Sequence, residues 1–387
     1  VVSTGGEFVG KTALVVGGTG PTGPYVLQGL LDRGFEVTIF HRGTHEPDGL
    51  PDVRHVHGDP HFAETIEAAV GAGEYDVVLA AYGRTTLLAD AFVGRTGHFV
   101  SVGGTPRYAG FNEPRLRSPS GLTVPAREDA PTALELTELT TTGPDSPAIK
   151  FARKIAETEQ AVFAAHPEAT HVIYPIVYGP RTMWPWEWSV VKRIRDGRDT
   201  LLVADEGMAV HSRVAARNAA ALLLRVVDRP EVAKGQVYNA GDDVQYSVRQ
   251  WVELLCERLG ASPEIVSLPS SIAPLVKAMY VPTSVSLADH AVFDTAKARY
   301  QLGHRDVIGV RDAIDELLAW YKVNPVDPAR SPSFVDSFDY DFEDRLLAAW
   351  SDAVATVRAG SAQQVPDEVH PMAHPKQAGM PVDQRGR

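Results

Sequence analysis

The chain has 387 residues, 44% of them hydrophobic, enough to bury a large core and more than one ordinary domain. Its 37 Lys and Arg against 49 Asp and Glu leave a net charge of −12, which argues against a nucleic-acid partner, because such affinity needs clustered cations that release counterions. A single cysteine excludes an internal disulfide framework, no apolar run reaches the roughly 18 residues of a bilayer span, and the N-terminal stretch lacks a basic region followed by an apolar one. The expectation is a soluble cytoplasmic protein with no membrane partner.

In chain order, Thr12 to Val16 (TALVV) reads as a first strand and Pro24 to Arg33 as a helix, with proline in the first turn and Gly34 as the stop. Further strands are expected at Glu36 to Phe40, Val53 to His57, Asp76 to Ala80 and His98 to Val102, with a helix from His61 to Ala72. Tyr82 to Gly97 is short for a full crossover helix. Residues 104 to 147, rich in Pro, Thr and Gly, read as a long loop able to act as a lid. Helical periodicity returns from Ala148 to His166, a strand follows at THVIYP, and mixed elements continue to Trp320. Cys256 falls on a helical apolar spacing, as a core thiol does. NPVDPARSPS reads as a linker, Phe342 to Arg358 as a terminal helix, and Ala359 to Arg387 as a mobile tail. The pattern predicts an α/β fold: a Rossmann-type doubly wound parallel sheet over residues 1–182, with sheet-returning elements near 236–240. A smaller mixed substrate lobe (183–322) and a C-terminal extension (323–387) follow.

VVGGTGPTGPYV sets Gly17, Gly20 and Gly23 between a strand and a helix. There one glycine makes the tight turn, one admits a pyrophosphate and one packs the helix, whose N-terminus faces the anion. Thr19, Pro21 and Thr22 complete this dinucleotide loop. After the second strand stand His41, Arg42 and Gly43, where an NAD-binding chain carries a carboxylate for the ribose. Arg42 can pair with a 2′-phosphate, which favours NADP over NAD; its alternative is a solvated loop charge. Asp59 ends the third strand and can reach the adenine amino group.

With these motifs, the stretch from about Lys11 to Tyr321 resembles the extended and atypical short-chain dehydrogenase/reductases, the NAD-dependent epimerase/dehydratase group. The likeness is carried by VVGGTGPTG, FHRG, HGD, VVLAAYG, FVSVGGTPRY, RKIAETEQAV, YPIVYGPR, VYNAGDD and FDTAKARYQLG. The short Tyr82 to Gly97 segment is most similar to the subgroup of the chloroplast stem-loop-binding proteins. The resemblance implies that Ala80, Ala81, Pro175 and Val177 border the cofactor, that Lys154 holds the nicotinamide ribose, and that Arg181 and Tyr108 face the substrate. It also exposes departures. Lys150 stands where the family has its catalytic tyrosine, four residues before Lys154, and Gly104, beside Thr105, stands at the usual serine position. Asn218 replaces a bracing aspartate.

Lys150, one helical turn from Lys154, is either a proton-transfer group or a solvated residue. Tyr82, Tyr108, Tyr174 and Tyr178 are the substitute proton donors, with Thr105 as polar partner. Trp184, Trp186 and Trp188 in MWPWEW form either an apolar substrate wall or lobe packing. His55, His57 and His61 have no accompanying cysteine or carboxylate pair, so no metal site is expected, nor any role for His370 and His374. The leading expectation is an NADP-dependent oxidoreductase acting on a small, partly apolar carbonyl or alcohol, with a homodimer as the candidate assembly. The alternatives are a non-redox epimerase, dehydratase or lyase that keeps the cofactor, and a non-catalytic NADP-binding regulator.

Overall fold

The computed structural model describes residues 10–44, 49–112, 114–138, 146–272, 289–327, 336–360 and 378–379. The chain divides into two compact units, Val1–Phe338 and Asp339–Arg387. The first strands and helices follow the apolar runs: β1 (Thr12–Val16), α1 (Gly23–Leu31), β2 (Glu36–His41), β3 (Arg54–His57), α2 (Ala63–Val70), β4 (Tyr75–Ala80), α3 (Thr85–Ala91) and β5 (Thr96–Gly104). Then come α4 (Pro147–Ala165), β6 (Thr170–Tyr174), β7 (Ile176–Tyr178), α5 (Trp188–Arg195), β8 (Thr200–Ala204), β9 (Arg213–Ala215), α6 (Ala216–Asp228), α7 (Pro230–Ala233) and β10 (Gln236–Asn239). The first unit closes with α8 (Val248–Leu259), β11 (Glu264–Leu268), α9 (Ala296–Gln301) and α10 (Val310–Val323). Helix α11 (Tyr340–Gly360) belongs to the second unit and runs two residues further at each end than its apolar pattern predicts.

Seven strands form one parallel sheet in the order β10-β6-β5-β4-β1-β2-β3. Each central strand is buried on both faces, so alternate residues feed two cores. Ala13, Val15 and Ile39 pack with Val26, Leu27 and Leu30 of α1 and Leu222 and Leu223 of α6. On the other face Leu14, Phe40, Val78 and Phe99 pack with Ile66 of α2, Leu88 of α3 and Val162 of α4. The seven residues of α3 suffice for the crossover because β4 and β5 are neighbours. Two further parallel pairs, β7 with β9 and β8 with β11, stand apart from this sheet. Helix α8 shows its ends plainly in the sequence: Ser247 and Gln250 make a capping box and Gly260 ends the helix at φ 66°. Its Cys256 is buried as expected, and burial pushes the thiol up to about 11.

Two regions differ from the sequence reading. The Pro/Thr/Gly-rich segment is pinned, since Ala126 bridges Phe293 and Tyr108 bridges Thr132. Its turns then bury Tyr108, Ala126, Ile173 and Phe293 in a common cluster, so its described part is a packed wall. The expected linker is followed within three residues by an anchor: the Asp336 side chain is buried against Arg193 with N···O distances of 2.7 and 3.0 Å. Beyond Gly360, apart from residues 378 and 379, the expected tail with His370 and His374 lies outside the described residues, as do residues 328–333 of the linker.

Candidate active site at the carboxyl edge of the sheet

Strand order reverses at β1, whose neighbours β2 and β4 lead to opposite edges, and the crevice beyond such a switch point is where open α/β sheets receive ligands. The loop leaving β1 occupies it. Gly17 donates its N–H to the Phe40 carbonyl at 2.9 Å and turns at φ 101°, and a Cβ there would lie 2.7 Å from that of Tyr82. Gly20 is partly exposed, and a Cβ on it would meet nothing within 4 Å. Gly23 opens α1 so close to the loop that a Cβ would fall 1.9 Å from the Gly18 carbonyl oxygen. One glycine thus turns, one leaves open space and one permits close packing. Thr19 and Pro21 lie partly exposed beside Gly20, and Thr22 is buried.

The neighbouring strand ends border this loop. Arg42, exposed after β2, sets its guanidinium carbon 5.7 Å from the Tyr82 ring centroid. Asp59, after β3, accepts from the His61 backbone N–H at 3.0 Å and pairs with its ring nitrogen at 2.7 Å. The hydrogen bond from His61 holds the carboxyl below its usual range, and Arg42 adds to the effect. Ala80 is buried at the end of β4 and Ala81 donates its N–H to Val16. Pro175 and Val177 follow β6 as partly buried residues.

On α4, Ile149, Ala152, Ala156 and Val162 turn inward, while Lys150 and Lys154 are exposed one turn apart. Thr105 is buried in a short turn after β5. The tyrosines expected to replace the family's acid are mostly committed elsewhere. The Tyr108 hydroxyl donates to Asn239 Oδ1 at 2.6 Å, and burial pushes its pKa up. Tyr174 donates to the Ala219 carbonyl at 3.3 Å. Tyr178 is wholly buried and donates to Asp242 at 2.7 Å, so β7 presents it as a core brace, and its hydroxyl does not face a cleft. Tyr82, the fourth, lies partly exposed with its ring edge-on to His61 at 5.1 Å between centroids.

Asp242 accepts from Tyr178, from the Ala215 N–H at 2.9 Å and from Asn218 Nδ2 at 2.8 Å. Asn218 also accepts from the Val307 and Ile308 N–H groups. An amide can give to Asp242 and take from Val307 at once, which an aspartate there could not do. The bracing expected to be lost is therefore kept in another chemistry.

Arg181 adopts φ 64° and sets its guanidinium carbon 5.3 Å from the Trp320 ring centroid. Trp184 and Trp186 stack with centroids 6.1 Å apart, Trp184 half exposed, whereas Trp188 is buried against Tyr321. Two indoles make an accessible platform and the third packs the core. Sequence reasoning missed a buried polar group behind β5. Ser101 Oγ and His171 Nδ1 are 2.7 Å apart, and Arg107 pairs with Glu159 of α4 at 2.9 Å. Burial, with Arg107 nearby, lowers the His171 pKa to about 3, so this ring stays neutral, and the Arg107–Glu159 pair ties α4 to the turn after β5. Its only sequence sign is Gly103, where a Cβ would lie 2.2 Å from the His171 ring.

No protein-family model and no curated protein sequence matches the chain. Solved structures do. The enzyme WbmH of Bordetella bronchiseptica in complex with NAD+ superposes with a TM-score of 0.62 at 16% identity, covering 82% of this chain and 100% of that one. UDP-glucose 4-epimerase of Thermotoga maritima, with UDP-glucose, gives 0.61 at 16%, covering 81% and 99%. The dTDP-glucose 4,6-dehydratase of Streptomyces venezuelae, with NAD bound, gives 0.59 at 19%, covering 81% and 97%. The chain therefore shares the fold of these enzymes. Among the described residues no helix is long and apolar enough to cross a membrane.

Proposed function

We propose that the chain is an NADP-dependent oxidoreductase of the extended short-chain type, acting on a small, partly apolar carbonyl or alcohol. The observation that carries this reading is the glycine loop at the sheet's switch point, with exposed Arg42 beyond β2 where a carboxylate would select NAD. NADP, when bound, supplies or accepts hydride. Gly17, Thr19, Gly20, Pro21, Thr22 and Gly23 hold its pyrophosphate, Arg42 its 2′-phosphate, and Lys154 its nicotinamide ribose. Ala80, Ala81, Pro175 and Val177 border it, and Asp59 reaches the adenine. Tyr108, Tyr174 and Tyr178 are engaged inside the protein, so the group proposed to give a proton to the carbonyl oxygen or take it back is Lys150 on α4 or the partly exposed Tyr82. The Trp184 and Trp186 platform suits an apolar substrate surface better than a sugar diphosphate, with Arg181 as the proposed cation at the substrate mouth.

Two substitutions test the cofactor. Gly23→Ala must displace the Gly18 carbonyl, a backbone atom, and is expected to weaken NADPH binding by at least about tenfold, or about 1.4 kcal/mol. Arg42→Ala is expected to weaken NADPH by about tenfold or more while NADH changes little, since charge-assisted pairing with the 2′-phosphate is lost alone. Titration of the intrinsic tryptophan fluorescence reads both. Equal NADPH and NADH affinities in the unaltered protein would remove the NADP assignment.

A second reading is motivated by the solved structures, which include epimerases and dehydratases. Here hydride is borrowed and returned, so turnover would leave nicotinamide absorbance unchanged.

A further inference from the structure

Three histidines converge on the edge of the sheet beside Arg42. His41 closes β2 and is the register partner of His57 on β3, while His55 pairs with Ile39. Two-residue spacing along each strand places all three on the face that Ile39 shares with α1. The spacing of His55, His57 and His61 hid this, because the third member comes from across the ladder and His61 is occupied with Asp59.

We propose that His41, His55 and His57 bind a divalent transition-metal ion, zinc in the first instance. Each offers one ring nitrogen, and these nitrogens all lie within 4.8 Å of one another. His41 Nε2 and His55 Nδ1 are already 3.0 Å apart. Tetrahedral zinc with bonds of about 2.0 Å holds its nitrogens about 3.3 Å apart, so the group needs only a small adjustment. The rings meet at 75°, 80° and 77°, the edge-on splay that lets three nitrogens point to a common centre where stacked rings could not. Their backbones belong to a β-ladder, which fixes positions better than loops do.

An all-imidazole set selects zinc, copper or nickel over magnesium and calcium, which take oxygen ligands. His41 is buried, His55 half-buried and His57 exposed, so the cluster reaches from the core edge to the surface, and the fourth ligand of a tetrahedral ion would come from the solvent side. The backbone leaving β2 passes close to the cluster at Gly43, where a Cβ would lie 3.1 Å from the His57 ring. The Gly43 N–H reaches His41 Nδ1 at a long 3.3 Å, placing one proton between His41 Nε2 and His55 Nδ1 in the metal-free state. The ion takes that proton's place, and the proton moves to the outer ring nitrogen at the expense of the long Gly43 contact. The site is independent of the dinucleotide reading.

The test uses the full, tag-free chain stripped with a chelator and titrated with Co2+. The expected result is the visible d–d absorption of a four-coordinate nitrogen site at one ion per chain, abolished by Zn2+. His55→Ala and His57→Ala should each weaken binding by at least about tenfold, whereas His61→Ala should leave it unchanged. Zn2+ should raise the melting temperature of the unaltered protein and leave that of the His57→Ala variant in place. The inference is overturned by absence of the band with Co2+ in excess, by a band that survives both substitutions, or by His61→Ala abolishing it. The exposed His57 makes the Ala variant a safe one to fold, and the circular dichroism of the metal-free proteins checks this.

Discussion

Between pH 7 and pH 5, each of four buried histidines is expected to withdraw roughly 2 kcal/mol from the stability of the fold. Burial lowers His98 and His304 to about 4, and His171 and His211 to about 3, from an ordinary value of 6.5. In the unfolded chain these rings take up protons near 6.5, and in the fold they resist until far lower. The unfolded state then binds more protons between those limits, so this stability is complete above 6.5 and is lost as pH falls below it. Asp306 works in the opposite sense: burial raises it to about 7, and acid relieves the penalty on its charge. The buried Asp242 and the partly buried Glu128 and Glu159 are raised too. A variant therefore isolates the effect better than the whole curve does. His98 donates to Thr170 Oγ1, which itself donates to the Ala233 carbonyl, and a glutamine amide can donate in its place. Urea unfolding at pH 7, 6 and 5 should show His98→Gln losing less stability than the unaltered protein, by about 2 kcal/mol at pH 5. Parallel curves would show that His98 does not titrate between the two states.

Asp336→Ala is expected to cost about 3–5 kcal/mol, the range for leaving one member of a buried ion pair behind. The side chains of Arg193 and Asp336 are 0% and 1% exposed, with two N···O contacts between them, and Ser189 Oγ adds a third donor to the carboxylate at 2.7 Å. The guanidinium carbon also lies 4.9 Å from the Phe338 ring centroid. Removing the carboxylate strands an arginine that cannot shed its charge. Asp336→Asn keeps an acceptor and should cost less. A urea midpoint for Asp336→Ala within error of the unaltered protein would show that the pair contributes nothing net.

The parallel sheet and its glycine loop were legible because local signals agreed: β-branched runs of strand length, a proline in the first helical turn, and glycines at the spacing a phosphate loop needs. What escaped was set by partners distant in sequence. Asp336 follows a Pro-rich stretch that reads as a linker, with no local sign of burial, and only Arg193 of α5 shows why its side chain is buried. Tyr178 sits in a motif that reads as the site's rim, yet Asp242, 64 residues on, draws its hydroxyl inward. The histidine cluster was invisible for the same reason, since two of its members lie two residues apart and the third lies across the ladder.

Strand β10 completes the sheet only after the chain has passed residue 236, and it does so beside β6, which was made some sixty residues earlier. Until then β6 is an open edge, with its N–H and C=O groups available to any other strand, and Tyr108 lacks the Asn239 amide that receives its hydroxyl. A fragment cut after residue 182 would carry the whole glycine loop and still end on that bare edge. Long-range parallel closure of this kind is slow, and the nascent chain is exposed to aggregation while it waits.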